Sequence, residues 1–220
     1  MTRVKAVLFD YGMVLSAAPD PAAWARMLSL TNLSEEQLHR GYWAHRHAYD
    51  RGDLTAESFW HQAAAPTHAI LTPEQLTALI AADVDYWATL NPPMLAWATS
   101  LQQARIPTGI LSNMPGPMET GLRARYPWID DFTHNTWSHA LNLAKPEPAI
   151  YRHAAEGLRT PPENILFIDD RTENIEAALA AGMQAIHYTT HDAFEKEMHA
   201  RNLDHLLQLQ GHSDSQNGKL

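Results

Sequence analysis

The stretch Val4 to Leu15, VKAVLFDYGMVL, constrains the fold more than any other part of the chain. An apolar run ends abruptly in Asp10, and Gly12 then lets the backbone leave at close quarters. That is the pattern of a buried strand delivering a carboxylate to a rim. Read alone, Asp10 serves equally well to cap or terminate the strand. Chemistry at such a rim requires partners from the rest of the chain.

A length of 220 residues suits one domain, or a core carrying an inserted lobe, with a conventional hydrophobic interior. The formal net charge is −9 and no block of Lys and Arg occurs, which argues against nucleic-acid binding, because a polyanion is repelled. With no Cys, disulfides, thiolate catalysis and zinc–thiolate sites are excluded. Neither a secretory leader pattern nor a run of about 18 apolar residues is present, so the expectation is a cytoplasmic protein with no membrane partner. The polar stretch 211–220 reads as a flexible tail.

From residue 16 to residue 91 the signals are helical. Ser34 with Gln37, and Thr72-Pro73 with Gln75, each read as a helix start with an N-cap and its capping partner. Arg51-Gly52-Asp53 breaks one helix, Thr55 caps the next, and Trp43, Tyr49, Phe59 and Trp60 supply apolar bulk. After Pro92-Pro93, strands and helices alternate as in an α/β fold with a parallel sheet. Strands are expected at Thr108 to Leu111, Phe132 to Trp137, Ile165 to Ile168 and Gln184 to His187. Helices are expected at Met94 to Arg105, Pro115 to Arg125, up to Gly157, and after Asp170 to Ala181, with Gly182 as its C-terminal cap.

Three strand ends carry polar groups: Asp10, Ser112-Asn113 and Asp169-Asp170. In an open parallel sheet the carboxyl ends share one edge, so these groups converge. Clustered carboxylates raise one another's pKa, and a divalent cation relieves the repulsion. Mg²⁺ takes oxygen ligands and is commonly held by one or two carboxylates plus a substrate phosphate. Asp10 and Asp170 are the expected direct ligands, with the Gly12 carbonyl, and Asp169 acting through water. Lys145 offsets charge on Asp10 and a phosphoryl group, Ser112 and the Asn113 N–H are expected to bind phosphoryl oxygens, and Asn174 to orient Asp170.

These segments together resemble the haloacid dehalogenase superfamily of hydrolases, in the subgroup with a small helical cap between the first two motifs. The matching pieces are FDYGMVL, ILSNM, AKPEPAIY and ILFIDDRTENIEAALAAGM, in order, and RGDLTAESFW at 51–60 resembles the subgroup's cap. The resemblance implies a Rossmann-like three-layer α/β/α core built from 1–15 and 92–210, and a helical cap at 16–91. It implies a Mg²⁺-dependent phosphatase acting on a small phosphorylated metabolite through an aspartyl-phosphate. Carried over by position, Asp10 is nucleophile and metal ligand, Ser112 binds the transferring group, Lys145 stabilises it, and Asp170 with Asp169 completes the metal site. Monomers and homodimers both occur in the family.

The departure is Gly12. Most phosphatases of the family have a second Asp there, which protonates the leaving alcohol and then activates water. Positioned acid–base catalysis is typically worth 10²–10⁴-fold, on the order of 3–5 kcal/mol. Either the leaving group needs little protonation, as in an acyl or anomeric phosphate, or a cap side chain such as His45 or His47 serves. Two alternatives stand beside the phosphatase: a metal-free 2-haloacid dehalogenase using the same Asp10, and a phosphate-ligand-binding protein with little turnover. Arg46 and Arg51 are expected on a solvated cap face in preference to the alternative, contact with a substrate carboxylate or phosphate. Trp24, Trp43, Trp60, Trp87 and Trp97 are expected to be packing residues, and Arg171 either to pair with the acids or to meet ligand.

Overall fold

Strand β1, Ala6–Phe9, lies at the centre of the sheet and all four of its residues are buried. In the computed structural model, which describes residues 3–65 and 70–209, its side chains alternate between two faces. Val7 and Phe9 pack on one side with Trp97, Ile110, Phe132 and Ile168, while Ala6 and Leu8 pack on the other with Leu111, Tyr151, Ala154 and Phe167. Burial on both faces accounts for the unbroken apolar run. The tail 211–220 lies outside the described residues.

Around β1 a five-stranded sheet forms in the order β3-β2-β1-β4-β5, with β2 at Thr108–Ser112, β3 at His134–Trp137, β4 at Ile165–Asp169 and β5 at Gln184–His187. Every pairing is parallel. Helices α5 (Pro92–Gln103), α6 (Gly116–Arg125), α8 (Pro148–Gly157), α9 (Thr172–Ala180) and α10 (His191–Ala200) cover the two faces, and a short α7 (Ser138–Leu141) follows β3. The result is a Rossmann-like three-layer α/β/α core. The chain moves outward from β1 through β2 to β3, then crosses back to β4, so the strand order reverses beside β1. Crevices at such reversals are where ligands bind in open α/β sheets.

Between β1 and α5 the described residues form four α-helices: α1 (Pro21–Thr31), α2 (Glu35–Arg51), α3 (Ala56–Ala63) and α4 (Pro73–Tyr86). Ser34–Gln37 and Thr72–Gln75 both form reciprocal capping boxes, Thr55 caps α3, and Gly52 ends α2 in the left-handed conformation at φ +85°. The helices enclose an apolar centre of their own, with Met27, Leu38, Tyr42, Tyr49, Phe59, Trp60 and Leu79 buried together. Each such side chain contributes about 1.5–3 kcal/mol by leaving water. Two connections tie this lobe to the core. They run antiparallel, with the Ala17 N–H donating to Thr89 O (2.8 Å) and the Asn91 N–H to Leu15 O (3.0 Å).

The turn after β1 differs from expectation. Gly12 has φ −62° and ψ 131°, a conformation open to any residue, whereas Met13 takes the left-handed region at φ +58°. The close turn therefore falls on Met13, and Ser16 Oγ accepts its N–H at 3.1 Å. A Cβ at position 12 would meet the Trp87 indole at 3.6 Å, an ordinary contact, so neither backbone nor local space requires glycine there.

Candidate active site

The strand register brings the polar strand ends together. Phe9 pairs with both Ile110 and Ile168, so Asp10 emerges between the ends of β2 and β4, beside Ser112 and Asp169. Lys145 joins them from the loop before α8. Its Nζ lies 2.8 Å from Asp10 Oδ1 and 2.7 Å from Asp169 Oδ2. Asn113 fixes that loop by a reciprocal pair, its Oδ1 accepting the Lys145 N–H (2.8 Å) and its Nδ2 donating to Lys145 O (2.9 Å). The Lys145–Pro146 peptide is cis.

Asp169 is fully buried and its oxygens are already engaged. Besides Lys145 it accepts from Asn174 Nδ2 (2.9 and 3.1 Å) and from the Arg171 N–H (2.8 Å). Asn174 therefore holds Asp169, not Asp170 as expected from the sequence. Successive residues at a strand end project to opposite sides, and Asp169 is the one turned toward α9. Asp170 faces the cavity instead. Tyr151 Oη donates to Asn174 O at 3.1 Å, securing the arrangement from α8.

Burial pushes the Asp10 carboxyl up to about 8, with Lys145 opposing and Asp169 and Asp170 adding to the rise. Asp170 is raised for the same reasons, burial first and then Asp169. Burial works to lower Lys145, and the Asp10 and Asp169 carboxylates overcome it, so the ammonium is held above the ordinary lysine range. One ammonium faces three carboxylates, and the site is short of positive charge. Oxygens of Asp10, Asp169 and Asp170 lie within 4.8 Å of one another, an all-oxygen set that fits a hard divalent cation.

A cavity of about 480 Å³ opens above these groups. Its floor is Asp10, Gly12, Ser112, Asn113, Lys145 and Asp170, and its opposite wall is Trp43, Arg46, His47 and Asp50 from α2 with Trp87 after α4. Met13, Met114 and Met118 complete an apolar side. Arg46, expected on a solvated face, is instead 5% exposed. Its Nε bonds Asp50 Oδ1 (2.6 Å), its Nη1 bonds Asp83 Oδ1 (2.9 Å) and Tyr42 Oη, and it sits 5.8 Å from the Trp87 ring. Polar residues of α2 spaced four apart face inward together, which outweighs the general preference of arginine for solvent.

Arg51 is also paired, to Asp53 (2.9 Å) and across to Glu147 of the core (3.0 Å). Trp24, Trp60 and Trp97 are packing residues as expected. Trp43 and Trp87 are not only that: both line the cavity, and Trp43 is 43% exposed. His47 reaches the rim, whereas His45 is not among the lining residues. Arg171 lines the cavity with its guanidinium paired to Glu173. The sequence reading missed Asp50, Asp83 and Tyr42. The Arg46–Asp50 spacing was the available signal for one of them.

The sesquiterpene phosphatase astK of Aspergillus oryzae is 25% identical over 199 residues, covering 86% of this chain and 91% of that protein. The phosphoglycolate phosphatase of Pectobacterium atrosepticum is 28% identical over 66% of this chain and 65% of its own length. Among solved structures, the HAD family enzyme bt-2542 of Bacteroides thetaiotaomicron, in complex with magnesium and inorganic phosphate, superposes with a TM-score of 0.65 at 18% identity, over 86% of this chain and 96% of its own. The L-2-haloacid dehalogenase of Xanthobacter autotrophicus shares the fold as well, with a TM-score of 0.63 at 18% identity over 98% and 92% of the two chains. The family model of the haloacid dehalogenase-like hydrolases matches residues 4–182, most of the chain and every strand end described above except that of β5, and the protein belongs to that family.

Proposed function

We propose that the chain is a Mg²⁺-dependent phosphatase that hydrolyses a phosphomonoester through an aspartyl-phosphate on Asp10. The observation that carries this reading is the charge of the site: three carboxylates with oxygens within 4.8 Å of one another, with Lys145 the one cation bonded to them among the described residues. A metal-free halide site gains nothing from two additional acids at that spacing, whereas a divalent cation and a dianionic phosphoryl group complete it. A relative named as a phosphatase and a fold neighbour holding magnesium and phosphate support the reading.

Asp10, Asp170 and the Gly12 carbonyl are the residues that would hold Mg²⁺, with Asp169 acting through water. When bound, the cation neutralises carboxylate and phosphoryl charge together. Asp10 attacks phosphorus, a P–O bond to its carboxylate forms, and the bond to the leaving alkoxide breaks. Ser112 Oγ and the Asn113 N–H donate to phosphoryl oxygens as charge develops on them, and Lys145 stabilises the same charge. Water then attacks the aspartyl-phosphate and restores Asp10. Splitting the displacement this way replaces one high barrier by two lower ones.

The wall of Trp43, Trp87, Met13, Met114 and Met118 favours a substrate with an apolar leaving group, since apolar surface buried against it contributes roughly 25 cal/mol per Å². The lobe acts as a cap that excludes water and selects that group. The test is phosphate release from prenyl, alkyl, sugar, acyl and nucleotide monophosphates with and without Mg²⁺, alongside Asp10→Asn. Turnover that needs Mg²⁺ and vanishes in Asp10→Asn is expected. Dehalogenation of chloroacetate that survives chelation would replace this reading by the dehalogenase, and full activity in Asp10→Asn would end it.

A further inference from the structure

Resting on the phosphatase reading, the missing acid at position 12 has a candidate across the cavity. We propose that Asp50, at the last turn of α2, is the general acid and base of the reaction, protonating the leaving oxygen and then activating the hydrolytic water.

Three geometric facts place it there. Asp50 lines the same cavity as Asp10 and Asp170, with its side chain 13% exposed. Arg46 Nε grips Oδ1 at 2.6 Å, and no side chain among the described residues bonds Oδ2. The backbone of Asp50 is pinned to the core: its carbonyl accepts from Ser138 Oγ, which also accepts the Met114 N–H at 2.9 Å, immediately beyond Ser112 and Asn113. The end of α2 is thus fixed against the loop proposed to bind phosphate. The histidines offered by the sequence fit less well, with His47 exposed at the rim and His45 away from the lining.

The groups facing Asp50 are Arg46 and Tyr49 on its own helix, Asp83 on α4 and Arg171 before α9, while His139 on the adjacent α7 is paired to Glu119. Burial pushes Asp50 up to about 7, Arg46 opposing, Asp83 adding and Arg171 opposing. Both protonation states are then populated near neutrality, as an acid that later acts as a base requires. In the first step the Asp50 proton passes to the leaving oxygen as its bond to phosphorus breaks, giving the alcohol and an Asp50 carboxylate. In the second step that carboxylate takes a proton from water as the water oxygen bonds phosphorus. The Asp10–phosphorus bond breaks, phosphate leaves, and Asp50 is again protonated.

The test is the dependence of single-turnover leaving-group release on leaving-group acidity, measured on the Mg²⁺-loaded protein with esters from p-nitrophenyl phosphate through phenyl phosphate to an alkyl phosphate. The wild type is expected to vary little across the series. Asp50→Asn is expected to keep single-turnover release of p-nitrophenol within about tenfold and to lose about 10²–10⁴-fold in release of the alkyl alcohol, while breakdown of the aspartyl-phosphate slows equally for both esters. Asp83→Asn, which also strips a partner from Arg46 but leaves Asp50, lowers both esters alike. A steep dependence already present in the wild type, or an equal loss of leaving-group release on both esters in Asp50→Asn, overturns the role of Asp50 alone. A wild type that hydrolyses no ester of the series with Mg²⁺ overturns the phosphatase reading, and this role with it.

Discussion

Arg46→Met separates a solvated cap arginine from the buried one found here. On a solvated face the change would alter stability by no more than about 0.5 kcal/mol. In the structure Arg46 is 7% exposed at its side chain and lies between Asp50 and Asp83, themselves 13% and 3% exposed. Its loss leaves two buried carboxylates without the cation bonded to them, a situation that costs about 3–5 kcal/mol. For a chain of this size that corresponds to a fall in Tm of roughly 6–20 °C.

The sign of the pH dependence follows from Asp50. Its folded pKa, about 7, lies above the unfolded 3.8, so its protonated form is favoured by folding, and the associated stability is present at low pH and lost as pH rises through 7. Without Arg46 the buried Asp50 carboxyl gains more from protonation, so the deficit of the variant shrinks from pH 7 to pH 5. Denaturant unfolding followed by circular dichroism at both pH values measures it, and Arg46→Met/Asp83→Asn should recover part of the loss. A loss below about 1 kcal/mol at pH 7, or one unchanged at pH 5, would refute the argument.

Mg²⁺ should raise Tm, and by more at pH 8 than at pH 6. The folded pKa of Asp10 lies near 8, above its unfolded 3.8, so the metal-free fold loses stability as pH rises through that range while the cation binds the deprotonated form. Equal shifts at the two pH values in a thermal titration, or a shift surviving in Asp170→Asn, would contradict this. Asn113→Ala removes both bonds that seat the Lys145 backbone, and kcat is expected to fall by about 10²-fold, with stability lowered by about 1–3 kcal/mol. Trp43→Ala, at a half-exposed position, should leave Tm nearly unchanged while raising KM for a prenyl or alkyl phosphate more than for a sugar phosphate.

The core and its polar edge were legible because their signals are local. Ala6–Phe9 and Ile165–Ile168 are apolar on both faces, and β5 falls at the expected residues. Helix starts at Ser34, Thr55 and Thr72 were readable because a cap is a contact across three residues. Asn174 was assigned to the wrong aspartate, since sequence distance does not say which of two adjacent side chains turns toward a helix. Gly12 was credited with a turn that Met13 makes.

The sequence by itself indicated the α/β class, the helical stretch after the first strand and the convergence of Asp10, Ser112 and Asp170 on one sheet edge, because strand–helix alternation and hydrophobic period are properties of the chain. Only the tertiary structure decided what stands opposite them. Whether Arg46 meets water or Asp83, and whether Asp50 meets solvent or the cavity, depends on how α2 packs against α4 and α7. Those contacts join residues tens of positions apart, and the burial they create sets both the charge of the wall and the affinity of its acids for protons.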